Sequence, residues 1–186
     1  MKAKLEAINV LLDTINDLPI TSEEDIGSIP EAQKAEAILE EVKRDVLAMG
    51  WSFNTDENYP FAPSQEGYIS IPENVLDIVS LESNIIMRDW RLYDRTRHTA
   101  TFDRKVSCTV LWDIKFNSLT YPMRNYITIR ASRVFQERMF GSVEESRLTE
   151  DDEQKALVSA LRSDQRTQRF NMLDSEFGNN TLERMS

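Results

Sequence analysis

Apolar residues recur along this chain in two rhythms, and the changes of rhythm divide it. Leu5, Ile8, Leu11, Leu12, Ile15 and Leu18 fall at helical spacing on an arc of about 140°. They predict an amphipathic helix over residues 3–18, stopped by Pro19. A polar, acidic connection containing Gly27 follows over residues 20–29. Ser28, with Glu31 three positions on, has the pattern of a capping box and predicts the start of a second helix. Ala35, Ile38, Leu39, Val42, Val46 and Met49 line one face of it, about 120° wide, and Gly50 supplies the stop. Two such helices joined by a short loop form an αα-hairpin that must bury its stripes elsewhere.

From Trp51 the helical period disappears. The segment TDENYPFAPSQEG has the Pro, Asn and Gly of a loop. Residues 68–71, 75–81, 85–93 and 97–102 read as short strands. The clearest alternation is Val106, Cys108, Val110, Trp112, Ile114 and Phe116, which predicts a half-buried strand over 106–116. Cys108 and Trp112 both fall on its core face.

Helical spacing returns in YPMRNYITIRASRVFQERMFG, residues 121–141. Pro122 suits a first turn and Gly141 a left-handed cap. Met123, Tyr126, Ile127, Ala131, Val134, Phe135 and Met139 spread over an arc of about 220°, far wider than a one-sided surface helix needs. Arg124, Arg130 and Arg138 project inside this arc, and a guanidinium there needs a carboxylate or carbonyl partner. Two arrangements satisfy the pattern. Either the helix is packed on more than one side, by its own domain and by a neighbouring subunit, or the core is one-sided and the arginine stems snorkel to water. On the first, Arg124, Arg130, Arg133 and Arg138 are the expected subunit contacts. After an acidic run comes a weakly amphipathic fourth helix to about residue 170, with Leu148, Ala156, Leu157, Ala160 and Leu161 on its thin apolar face. The tail beyond carries Phe170, Met172, Leu173, Phe177 and Leu182 without a clean period, as a docking segment does.

The expected fold class is therefore α+β: a four-helix bundle with a β-strand domain inserted between helices 2 and 3, plus an extended C-terminal tail. The segments are 1–50 and 121–170 for the bundle, 51–120 for the β domain and 171–186 for the tail.

Composition narrows the chemistry. The 186 residues carry 32 acids against 22 Lys and Arg, a net charge of −10 that argues against a nucleic-acid reader. A single cysteine and a single histidine, Cys108 and His98, remove an intrachain disulfide, Cys-rich metal sites and most His-based catalysis. No cofactor or metal site is expected. No apolar run reaches the roughly 20 residues of a membrane helix, and no phosphate-cradling glycine loop or nucleophile elbow is present. Carboxylates are plentiful, so one enzymatic alternative is a glycan hydrolase with paired acids from the β region, such as Asp94 and Asp103. The opposing reading makes these two ion-paired turn residues and the run Glu144–Glu153 a solvated face. Trp90, Arg91, Tyr93 and Arg95, with Arg88, have the aromatic–arginine make-up of an exposed contact patch.

The order and spacing of GWSFN (50–54), LYDR (92–95), the Thr99/Phe102 hairpin, the strand ending in Val110-Leu111-Trp112, the 121–141 helix and NMLD (171–174) resemble the tail tubular protein A family of short-tailed podoviruses. The resemblance runs from Leu5 to about Asp174 and is weakest over 55–67 and at the C-terminus. It implies a structural virion protein, not an enzyme, assembled in the host cytoplasm into the tail. This head-to-tail adaptor is a dodecameric ring that joins the portal protein to the tail nozzle, tail tubular protein B. Tail fibres attach near the lower junction, and DNA leaves through the lumen without sequence-specific binding or any membrane contact. On that reading Phe170, Met172, Leu173, Phe177 and Leu182 face the portal. Trp90, Arg91, Tyr93 and Arg95 face the nozzle or fibres.

Overall fold

The computed structural model describes residues 3–140 and 150–183, with side chains as far as residue 168. The chain mixes helix with two small antiparallel sheets, an α+β protein. It divides into two units: Met1–Lys43 with Lys115–Ser186, and Arg44–Ile114.

In the first unit, helix α1 spans Ala3–Thr14 and buries Ile8, Leu11 and Leu12. It ends four residues before the expected stop. Asn16 takes a left-handed φ of 59°, and the Asp17 N–H reaches back to the Leu12 carbonyl at 3.1 Å. This Schellman-type closure ends the helix before Pro19 acts, so Leu18 lies outside it and is 81% exposed. The capping box falls elsewhere too. Ser22 and Asp25 form it at the head of a 3-10 helix, Glu23–Ser28. Helix α2, Pro30–Leu47, begins with proline at its first position, where the missing N–H costs nothing. Its buried stripe of Ala35, Ile38, Leu39, Val42 and Val46 matches the sequence pattern, whereas Met49 is exposed. Gly50, at φ +78°, donates its N–H to the Leu47 carbonyl and closes the helix.

Helix α3, Tyr121–Phe140, is packed by α1 and by helix α4, Glu150–Glu183. Its own chain therefore covers more than one side of it. Met123, Tyr126, Ile127, Ala131, Ser132, Phe135 and Gln136 are all buried. The cap expected at Gly141 and the apolar Leu148 lie outside the described residues. The tail expected to be extended from residue 171 is instead helical, since α4 runs unbroken to Glu183. The segment's Asn, Ser, Thr and Gly178 are poor helix formers, so local propensity gives no sign of this helix.

In the second unit, β5 (Val106–Trp112) lies between β1 (Thr55–Phe61) and β2 (Val75–Ser80), antiparallel to both. Val106, Cys108 and Val110 alternate into the core with Phe61, Ile69 and Leu92. The strand is shorter than its sequence period. Ile114 lies beyond it, and Phe116 belongs to a 3-10 turn of the first unit. Trp112 is half-buried rather than core, its indole N–H donating to Asp56 at 2.8 Å. Strand β1 occupies the segment expected as a loop. It is an edge strand with a register shift between Asp56 and Tyr59, Asn58 at φ 59°, and Pro60, features that protect an edge but hide it from periodicity. Strands β3 (Ile85–Arg88) and β4 (Arg91–Asp94) form a hairpin where one strand was expected. Residues 68–71 and 97–102 contribute only isolated bridges.

Below Gly50, Asn54 joins the end of α2 to β5. Its side chain accepts from the Trp51 N–H and donates to the carbonyls of Leu47 and Trp112. The Trp51 indole adds a 2.7 Å bond to the Val46 carbonyl. WSFN is thus the turn that closes α2.

Candidate interaction surfaces

The four arginines of α3 find their partners inside the chain. Arg124 donates to the Leu119 carbonyl at 2.9 Å, covering an acceptor just before the helix. Arg138 makes a two-pronged pair with Glu41 of α2, both bonds 2.7 Å. Arg130 and Arg133 converge on Glu153 in the first turn of α4. Arg130 reaches one oxygen at 3.0 Å and Arg133 takes the other. Arg130 also lies 3.4 Å from the Tyr126 hydroxyl. Burial works to lower the Arg130 pKa, but Tyr126 and Glu153 outweigh it and hold the pKa above its ordinary value.

Glu153 is therefore no member of a solvated acidic face. Its side chain is 16% exposed and clasps α4 to α3, while Glu150 beside it is 85% exposed. No local signal marks either pairing, because Arg133 and Glu153 are 20 positions apart and Arg138 and Glu41 are 97 apart. Beyond this clasp, the described side chains of α4 bury only Ala156 and Ala160. The portal-side residues expected on α4, Phe170, Met172, Leu173, Phe177 and Leu182, have side chains outside the described residues; their backbone is helical.

The second surface is the β3–β4 hairpin. Arg88 pairs with Arg91 across a two-residue turn of Asp89 and Trp90, both at positive φ, 50° and 57°. Trp90 is 54% exposed. The Arg88 guanidinium lies 4.1 Å over the Tyr93 ring, and that of Arg91 lies 4.6 Å over Tyr68. Arg95, just past the hairpin, donates to the Ser83 carbonyl at 2.5 Å. The structure thus gathers Trp90, Arg91 and Tyr93 on one hairpin and adds Tyr68, which no local signal marked.

Of the two acids considered for catalysis, Asp94 serves the backbone. One Asp94 oxygen accepts from the N–H groups of Thr96 and Arg97 and from the Asn84 amide, at 2.8, 3.0 and 3.0 Å. The Arg97 N–H, first among these, holds the carboxyl below its usual range against the effect of burial. A depressed carboxyl that is already an acceptor has no proton to give at neutral pH. Asp94 is thus a turn residue through hydrogen bonds rather than an ion pair. Arg104 meanwhile makes a bidentate pair with Glu82, at 2.7 and 2.6 Å. His98 is exposed at φ 53° in the following turn. Cys108 is buried in the sheet, which pushes its thiol pKa up. Among the described residues no group of three His, Cys, Asp or Glu side chains is placed to hold a metal, and no helix is long and apolar enough to cross a membrane.

The surface is therefore one of helix clasps, exposed aromatics and arginines, the make-up of an assembly component. Comparison with known proteins agrees. Residues 5–170 match the family model described as tail tubular protein. The chain is also 28% identical over 182 residues to tail tubular protein A of Klebsiella phage KP34, covering 94% of this chain and 93% of that protein. With the family pattern spanning both units and all four helices, this chain belongs to the tail tubular protein family and is a structural component of a phage tail.

Proposed function

We infer that the protein is the head-to-tail adaptor of its virion: a ring of twelve copies that joins the portal above to the nozzle, tail tubular protein B, below. Tail fibres attach near the lower junction. It works by assembly, without catalytic residues, cofactor or metal. The observation that carries this reading is the family match over residues 5–170. In this reading α1–α4 form the bundle of each subunit, and the β unit of residues 44–114 is inserted in sequence between α2 and α3. The end of α4, with Phe170, Met172, Leu173, Phe177 and Leu182, docks on the portal. The α3 arginines, Arg124, Arg130, Arg133 and Arg138, lie at the contact between subunits, where Arg130 and Arg133 also hold α4 and Arg138 holds α2. The Trp90–Arg95 hairpin is a protein-contact surface.

Charge supports the same role. Twelve copies at −10 place about −120 charges on the ring. Those facing the lumen repel DNA over a Debye length of about 8–10 Å, so that it slides rather than sticks. Native mass by light scattering, with and without an assembled portal ring, tests the proposal. A species of about twelve subunits, alone or on the portal, is expected from ring closure. A monomer indifferent to the portal would refute the adaptor role.

A further inference from the structure

Local charge from the tip of the β3–β4 hairpin through the turns that follow it runs against that of the chain. Residues 88–105 hold six Lys or Arg against three Asp, in a protein of net charge −10. Arg104 is consumed by Glu82 and Arg95 by the Ser83 carbonyl. Arg88 and Arg91, in contrast, form no ion pair among the described residues and lie over the rings of Tyr93 and Tyr68. A ring face attracts a guanidinium without neutralising it, so the charge remains for a carboxylate.

The turn between these arginines is costly. Two central residues at positive φ are what Asn-Gly supplies without strain. For a bulky side chain that backbone costs about 1–2 kcal/mol. The Ile71 N–H nevertheless pins the Trp90 carbonyl at 2.8 Å, while the indole stays 54% exposed. A strained, fixed turn that presents an indole between two unneutralised arginines has the composition of a binding hot spot.

We propose that this hairpin docks on the carboxylate-rich surface of a second copy of the chain. The proposal rests on the ring reading above and names one of its contacts. A closed ring joins two different patches on each subunit, which must complement each other. This chain supplies a locally cationic segment, residues 88–105, and an excess of acids elsewhere. The α3 arginines already have carboxylate or carbonyl partners of their own, whereas Arg88 and Arg91 have donors to spare. Complementary charge sets the register of such a contact, and Trp90 supplies its buried anchor.

The test is sedimentation velocity on the full chain, across concentration and salt, for the wild type, R88E/R91E and D89N/W90G. The second variant places Asn-Gly in the turn, so its folding is not in question. Far-ultraviolet circular dichroism checks the first. The wild type is expected to self-associate less as salt rises, and both variants to bind about 30-fold more weakly, the loss typical of a hot spot. A photoreactive residue at position 90 is expected to cross-link to an acidic peptide of another copy. Association of either folded variant at wild-type strength overturns the hairpin contact and leaves the ring reading intact. So does a cross-link formed only with a different tail protein. A wild-type chain that stays monomeric with and without the portal overturns both.

Discussion

Replacing Glu153 by Gln should release the start of α4 from α3. Glu153 accepts from Arg130 on one oxygen and Arg133 on the other, and its side chain is 16% exposed. Removing a charge-assisted bond costs about 1.5–3 kcal/mol when it is shielded from water. The Arg133 side chain is 23% exposed and belongs near the lower end of that range. Arg130 is 42% exposed, so solvent screening limits its share to about 0.5 kcal/mol. Together the loss is about 2 kcal/mol. The apolar anchorage of α4 is no larger. Its buried described side chains are Ala156 and Ala160, each worth about 1 kcal/mol for a buried methyl. Loss of the clasp therefore raises the open population of the α4 N-terminal turns about 30-fold. Hydrogen exchange resolved to residues 150–168 reads this directly, with α3 amides as the internal reference. Glu150→Gln is the control: its 3.4 Å contact with Arg133 is almost fully exposed, so it should cost under about 0.5 kcal/mol. Equal protection of α4 in Glu153→Gln and the wild type would refute the argument that the clasp, rather than alanine packing, holds the helix.

Other outcomes follow from single groups. The Ser132 hydroxyl is fully buried in α3 without a hydrogen-bond partner, so Ser132→Ala should leave stability unchanged or raise it by up to about 1 kcal/mol in urea unfolding; a clear loss would reveal a partner. Burial pushes the Glu40 carboxyl up, but bonds from Lys4 and Lys43 outweigh it and hold the pKa below 4.5. The stability margin of the wild type over Glu40→Gln should then be full at neutral pH and shrink only as the pH falls below 4.5, by thermal unfolding; a margin independent of pH would mean the pair adds nothing. Gly50→Ala has room, since its nearest new contact would be Leu111 at 3.7 Å, but forces φ +78° on a side chain. It should cost about 1–2 kcal/mol through the backbone alone. Native Cys108 should react with a thiol reagent far more slowly than the unfolded chain, because it is buried and its thiol is held protonated; equal rates would place it at the surface.

The sequence by itself determined the α+β class, the helical stripes of α1, α2 and α3, the Gly50 stop, and the alternation of β5. Each is a local period set by which face of one element is buried, so neighbouring residues carry it. The wide apolar arc of α3, with its arginines, left both packing on several sides and a one-sided core with snorkelling arginines open. Tertiary structure alone decided what did the packing. Glu153 looked like one acid in a solvated run until α4 folded back to place it between Arg130 and Arg133. Strand β1 looked like a loop because an exposed, irregular edge strand buries too little to leave a period; its identity comes from pairing with β5 across some 50 residues. The hairpin tip shows the same division. The aromatic–arginine make-up around Trp90 was legible, but the positive φ of the turn and the approach of Arg91 to Tyr68 were not. Ion pairs and strand partners join residues distant in the chain, and only the folded backbone brings them within reach of one another.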